Sequence, residues 1–307
     1  MSADGFVGVE VPASSANLGP GFDAFAAAID LRLTVWTVER RRKRVRPEGE
    51  GAEDLPTGDD NMIWKGMLAY CQHFGAEVPD VSLRALSDIP LERGLGSSAA
   101  AAVAGVSLGR AATRAGGSDQ DLIDIATKLE GHPDNVAAAV LGGMVVCYDG
   151  HARRLDPSER LRPVLCIPPS RQSTDEARRI LPWTVPLAQA AANGARAAVV
   201  LAGLVGAMPW DPTAMTDVLH EPKRFKVMPK TGKIVAALRG AGIAACLSGA
   251  GPSVLAIARA ADETAVSLIR THVPDDWTVH PARWDRAGAV IAPPSVVPGD
   301  DDDDAGR

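Results

Sequence analysis

Aromatic residues are scarce in this chain, 4% of 307, so any large core must be built from Val, Leu, Ile and Ala, the materials of helices packed on sheets. Cysteines are few as well. Cys71, Cys147, Cys166 and Cys246 stand far apart in apolar surroundings, with no Cys-x-x-Cys pair and no Cys/His spacing. That pattern excludes a zinc ribbon or a disulfide framework and fits small buried residues in a reducing compartment. There is no basic excess either. The net charge is −6, which argues against nucleic acid as a partner, since phosphate neutralisation wants a positive surface. The one basic run, residues 39–46 (ERRRKRVR), has no aromatic residue among its charges and reads as the exposed end of a strand or hairpin. The first residues lack the basic and apolar regions of a secretion signal, and no run reaches the roughly 18 apolar residues of a membrane span. A cytoplasmic location with no membrane partner is expected. No fixed-period repeat occurs.

Two common nucleotide fingerprints are missing too: no GxxxxGK[ST], and no GxGxxG behind a first strand. What is present is residues 90–101, PLERGLGSSAAA, a glycine turn opening onto an alanine run. Gly94 and Gly96 let the backbone approach an anion, while the free N–H groups and dipole of a following helix compensate triphosphate charge. The same residues also suit an ordinary helix start with Ser97 or Ser98 as cap. Two more glycine-rich segments stand out. Residues 12–23, PASSANLGPGFD, follow an apolar alternation at 6–11, and residues 247–252, LSGAGP, with Gly249 at their centre, run into the apolar stretch 253–257.

The chain is 46% hydrophobic and long enough for two moderate cores. Strands are expected at 6–11, 31–38 and 143–148, within 157–169, and as a strand–turn–strand at 243–258. Helices are expected at 61–75, 97–115, 119–130 (capped by Ser118 or Asp119), 174–181, 187–207, 213–220 and 230–241. Residues 47–60 read as a Gly/Asp/Pro-rich connection, and Gly131-His132-Pro133 as a helix stop. The sum is an α+β protein with a boundary near 155: one domain over 1–155, a second over 156–298, and a solvated acidic tail over 299–307.

Together the three glycine segments resemble the signature motifs of the GHMP small-molecule kinases, and most closely those of the homoserine kinase family. That family's first motif reads PA[ST]SANLGPGFD, and here it ends Gly21-Phe22-Asp23, where mevalonate kinases and galactokinases carry Gly-Glu-His. Residues 130–143 (EGHPDNVAAAVLGG), 174–182 (TDEARRILP) and 219–229 (LHEPKRFKVMP) agree further. The resemblance implies a ribosomal-protein-S5-like first domain, a ferredoxin-like second domain, ATP between them, and a homodimer.

For the site, the resemblance implies Mg2+ on Ser98 and Glu130. It places the nucleotide on the loop Pro90, Leu91, Glu92, Arg93, Gly94, Leu95, Gly96, Ser97, Ser98, Ala99 and Ala100, with the phosphates on the backbone of Gly94, Leu95, Gly96 and Ser97 and the adenine region near Asn61. Residue by residue, the alternatives are a helix cap for Ser98 and Asn61 and a solvated helix-end carboxylate for Glu130. The resemblance puts the amino-acid substrate's carboxylate on Arg178 and Arg224, with Asn17, Asp23, His132, Asn135, Thr174 and Gly249 around it. Arg179 is then the surface arginine. Lys223 stands where the family usually has Tyr. An aspartate that serves mevalonate-type relatives falls here on Asn135, and an amide cannot take a proton. Phosphoryl transfer without a dedicated protein base is therefore implied, Asp23 being the other carboxylate considered and better suited to an ammonium. The expected activity is ATP-dependent phosphorylation of L-homoserine for threonine synthesis. The alternatives are another GHMP kinase or an inactive ligand sensor, the latter disfavoured by intact Ser98, Glu130 and loop.

Overall fold

The computed structural model describes residues 7–292. The acidic tail expected at 299–307 lies outside them. The chain opens with β1 (Gly8–Ala16), antiparallel to the long β2 (Phe25–Val38), with a register shift at Pro12/Ala13. After β3 (Val45–Gly49) and helix α1 (Met62–Phe74), β4 (Ser82–Ser87) pairs antiparallel with β2 and parallel with β3. Helices α2 (Ser97–Thr113), α3 (Asp119–Glu130) and α4 (Pro133–Leu141) follow. A hairpin of β5 (Met144–Tyr148) and β6 (His151–Leu155) then joins the first half of β2. With so few aromatics, close packing comes from small residues: Ala99, Ala100, Ala102 and Ala104 of α2 are fully buried against this layer.

The second sheet is formed by β7 (Leu161–Ile167), β8 (Ala244–Leu247), β9 (Val254–Arg259) and β10 (Thr278–Pro281) in the order β10-β7-β9-β8, the ferredoxin-like arrangement. Between β7 and β8 lie α5 (Thr174–Arg179), α6 (Leu187–Leu204), α7 (Glu221–Val227) and α8 (Pro229–Gly240); α9 (Glu263–Thr271) connects β9 to β10. Alternation along β7 explains the layering, because successive side chains face opposite sides. Val164 and Cys166 join Ile234, Leu238 and Ile269 of α8 and α9, whereas Leu165 and Ile167 join the core of the first sheet. The last strand, β11 (Val290–Ala292), returns to pair with β1, so a cut near 155 does not separate the two sheets.

Several elements differ from the sequence expectation. Pro133, read as part of a stop, occupies the first turn of α4, where a missing N–H costs nothing. The helix expected at 213–220 is only a 3-10 turn, Pro212–Ala214; the real helix starts at Glu221, with Pro222 in its first turn. β3, β4, β6, α9, β10 and β11 were not expected at all; β3, β4, β10 and β11 pair with strands far off in the chain, whereas β6 closes a hairpin with β5 over Asp149-Gly150. The basic run leaves the end of β2, where Arg40, Arg44 and Arg46 pair with Asp80, Asp59 and Glu48. Among the described residues one helix, α6, is long and apolar enough by composition to cross a membrane, with 22% of it buried. Buried Asn193 ties it to the fold, donating to the Pro20 carbonyl and accepting from the Val218 N–H.

Candidate active site

The loop between β4 and α2 is held by the two other glycine segments. Gly94 has φ +70°, and a Cβ there would stand 2.2 Å from the Ser248 carbonyl; at Gly96, φ +69°, it would stand 2.1 Å from Ser14 Oγ. These contacts exist because Ser248 Oγ donates to the Gly94 carbonyl at 2.7 Å, and the Ser14 N–H to the Leu95 carbonyl at 3.1 Å. Ser15 and Ser248 share a hydroxyl hydrogen bond of 2.8 Å. Three segments, at 12–23, 90–101 and 247–252, therefore converge at the start of α2. Gly96 is the N-cap of that helix, and no side chain caps it, so Ser97 and Ser98 are not spent as caps. The first-turn N–H groups and the helix dipole face the loop as an anion site.

Ser98 Oγ instead donates to Glu130 Oε2 at 2.7 Å. Burial pushes the Glu130 carboxyl above its usual range, against the lowering effect of the Ser98 bond. Two hard oxygens at a phosphate cradle suit Mg2+, which takes few protein ligands and keeps water and phosphate as the rest. Among the described residues no group of three or more His, Cys, Asp or Glu could hold a metal, so a zinc-type donor set is absent there.

Two cavities flank Ser97 and Ser98. The larger, about 390 Å³, has apolar walls from Leu33, Pro56, Ile63, Ala85 and Leu91 and includes Asn61. The smaller, about 140 Å³, is lined by polar groups: Asn17, Asp23, Glu130, His132, Asp134, Asn135, Thr174, Arg178, Arg224 and Gly249, with Pro90, Arg93, Gly94, Leu95 and Gly96. Glu92, Ser97 and Ser98 line both. Of the residues expected in the site, only Ala99 and Ala100 line neither; both are turned into the core. Asn61 acts as the N-cap of α1, accepting from the Ile63 N–H and donating to the Pro56 carbonyl. Arg93 spends its donors on the carbonyls of Leu91, Pro168 and Pro169 and so anchors the loop to the end of β7.

In the smaller cavity the charged residues first meet one another. Arg178 forms a two-pronged ion pair with Asp23, at 2.8 and 3.0 Å. Asn17 uses both ends of its amide on the protein, donating to the Gly249 carbonyl and accepting the Asp23 N–H. Arg224, 2% exposed, donates to His220 Nδ1 and to the Gly249 and Ala177 carbonyls. Because Arg224 can only donate, His220 Nδ1 must accept, and its Nε2–H is the donor to the Gly19 carbonyl at 3.1 Å. Burial keeps this imidazole neutral, pushing it down to about 4. Asn135 Oδ1 accepts from Ser14 Oγ at 2.9 Å. Beside it Asp134, 3% exposed, accepts the Asn135 N–H, and burial pushes its carboxyl up to about 6. Burial likewise lowers His132.

Asp134 and His220 are the two residues that the sequence reading passed over. Each had a signal. Asp134 is the residue before Asn135 in the same motif, and His220 stands four residues before Arg224, one helical turn away.

Comparison with known proteins agrees with this geometry. The family model for the GHMP kinases N terminal domain matches residues 61–143, and that for the GHMP kinases C terminal domain matches 210–277. A homoserine kinase of Streptomyces coelicolor is 38% identical over 295 residues, 94% of each chain. One from Mycolicibacterium smegmatis is 42% identical over 266 residues, covering 80% of this chain and 83% of the other. The crystal structure of homoserine kinase from Cytophaga hutchinsonii superposes with a TM-score of 0.81 at 25% identity, over 95% of this chain and 99% of that one. Both family models and identity sustained over most of the chain place it in the homoserine kinase family, a branch of the GHMP kinases.

Proposed function

We propose that this protein transfers the terminal phosphoryl group of ATP to the side-chain hydroxyl of L-homoserine, giving O-phospho-L-homoserine for threonine synthesis. The observation that carries the reading is the join of the two cavities at Ser97 and Ser98. A larger cavity whose apolar wall suits a flat base, rimmed by charged residues such as Glu48, Asp54 and Arg171, and a smaller charged one suited to a small zwitterion open on the same helix start. Phosphoryl transfer asks for positioning and charge neutralisation more than for covalent chemistry. The loop N–H groups supply the first contacts to phosphate. Ser98 and Glu130 would hold Mg2+, which when bound neutralises phosphate charge. Arg178 and Arg224 would take the substrate carboxylate, and Asp23 its ammonium. Asn135 would orient the hydroxyl without accepting its proton, which passes to phosphate or solvent as the loose transition state forms. A cytoplasmic location and a homodimer belong to the same proposal; the four cysteines, all free and buried, fit a reducing compartment.

The test is ADP release with ATP and Mg2+ against homoserine, mevalonate, shikimate and galactose. Turnover restricted to homoserine is expected. Preference for any other alcohol would overturn the substrate assignment.

A further inference from the structure

Asp23 and Arg178 lie 155 positions apart and meet at the mouth of the smaller cavity, each about one-third exposed. Both carboxylate oxygens face the two terminal guanidinium nitrogens, while Arg178 Nε is buried and bonds nothing. A guanidinium offers its donors as a fixed fork, so this pairing leaves one edge unmatched. The main chain of Asp23 is fixed in the left-handed region, φ +54°, with its N–H on Asn17 Oδ1. Arg224 is not bonded to Asp23: its Nε donates to the Ala177 carbonyl and its Nη1 to His220 Nδ1 and the Gly249 carbonyl.

We propose that the Asp23–Arg178 pair is an internal stand-in for the two charges of the substrate, exchanged in one step by a zwitterionic α-amino acid. The proposal rests on the reading of this cavity as an amino-acid site. The incoming ammonium takes Asp23 from Arg178, and the incoming carboxylate takes the terminal guanidinium nitrogens of Arg178 from Asp23. A ligand with both charges breaks one pair and makes two. A ligand with a single charge must break the pair and strand one member in a partly desolvated cleft. The chain thus carries its own competitor against half-matched ligands, a specificity device that acts by repelling wrong ligands as well as by fitting the right one.

Binding without turnover isolates the effect. Calorimetric titration with L-2-aminobutyrate, butyrate and propylamine supplies both charges, the anion alone and the cation alone. The parent should bind aminobutyrate about 100-fold or more tightly than either half ligand. Asp23→Asn, a residue that tolerates the left-handed backbone, frees Arg178: butyrate should then bind about tenfold tighter than to the parent, while aminobutyrate weakens. Arg178→Gln should invert the pattern, gaining propylamine and not butyrate. Thermal unfolding of each variant verifies the fold. Butyrate affinity unchanged or reduced in Asp23→Asn, or no aminobutyrate binding to the parent, overturns the exchange. ADP release with homoserine is measured alongside. A parent that phosphorylates homoserine without the butyrate reversal refutes the exchange alone; the reversal with phosphorylation of a different amino acid refutes the substrate assignment alone.

Discussion

Asp134 is a carboxylate kept where water hardly reaches, with its titration moved from the ordinary 3.8 to about 6. Between those pH values the folded chain holds a proton that the unfolded chain releases. The stabilisation is therefore present at low pH and lost as pH rises through about 6. Above that, the ionised group costs up to about 3 kcal/mol. Asp134→Asn keeps an oxygen for the Asn135 N–H and should raise the melting temperature at pH 7 but not at pH 4. Turnover should fall, because a negative charge beside Arg178 and Arg224 is lost. An unchanged melting temperature at pH 7 would show that the carboxylate carries no such penalty. The two arginines should separate in the same way. Arg178→Ala, at the cavity mouth, should raise the KM for homoserine with little loss of stability. Arg224→Ala should do both, since it strands His220 Nδ1 in the interior, at about 1–3 kcal/mol, while Asn17 still serves the Gly249 carbonyl. Urea denaturation of both variants decides this, with Arg179→Ala expected to be nearly silent.

At the scale of elements, the glycine loop is the place where backbone conformation and tertiary contact coincide. Gly94→Ala and Gly96→Ala meet both obstacles, a left-handed φ and a wall at 2.2 and 2.1 Å. Gly131 has φ +89° and nothing within 4 Å of a Cβ, so it meets only the first. Gly131→Ala should cost about 1–2 kcal/mol and leave the KM for ATP alone. Each loop variant should cost more and raise that KM, because the loop must shift away from Ser14 or Ser248. Equal effects in all three would mean that the loop position is not set by those contacts. Caps were partly legible: of the two candidates Ser118 and Asp119, Ser118 closes a full capping box with Asp121. Asn61, left open between cap and ligand, caps α1 while also lining the larger cavity. Both assignments rest on bonds between residues two or three apart, which sequence spacing displays directly. β4 could not be found that way, because what makes it a strand is β2 beside it; β6 did carry a local signal, the Asp149-Gly150 turn of its hairpin with β5.

For the whole molecule, the return of β11 to β1 binds the end of the described chain to its start. Asp285 is the rivet: its carboxylate pairs with Arg32 and accepts the N–H groups of Ala287 and Gly288. Asp285→Ala should lower stability by about 2–4 kcal/mol through stranded donors, and should loosen both sheets together, since Trp284 also donates to the Leu161 carbonyl of β7. Hydrogen exchange would show this as lost protection in β1 and β7 alike; loss confined to β1 would mean that the sheets unfold independently. The family and the glycine segments were legible along the chain, because they depend on glycines and motifs whose order is fixed. Which charges face each other came from the folded chain: Asp23 with Arg178, His220 behind Arg224, and Asp134 sealed beside Asn135. Desolvation and long-range pairing are properties of what surrounds a residue, and for these residues the surroundings come from segments more than 100 positions away.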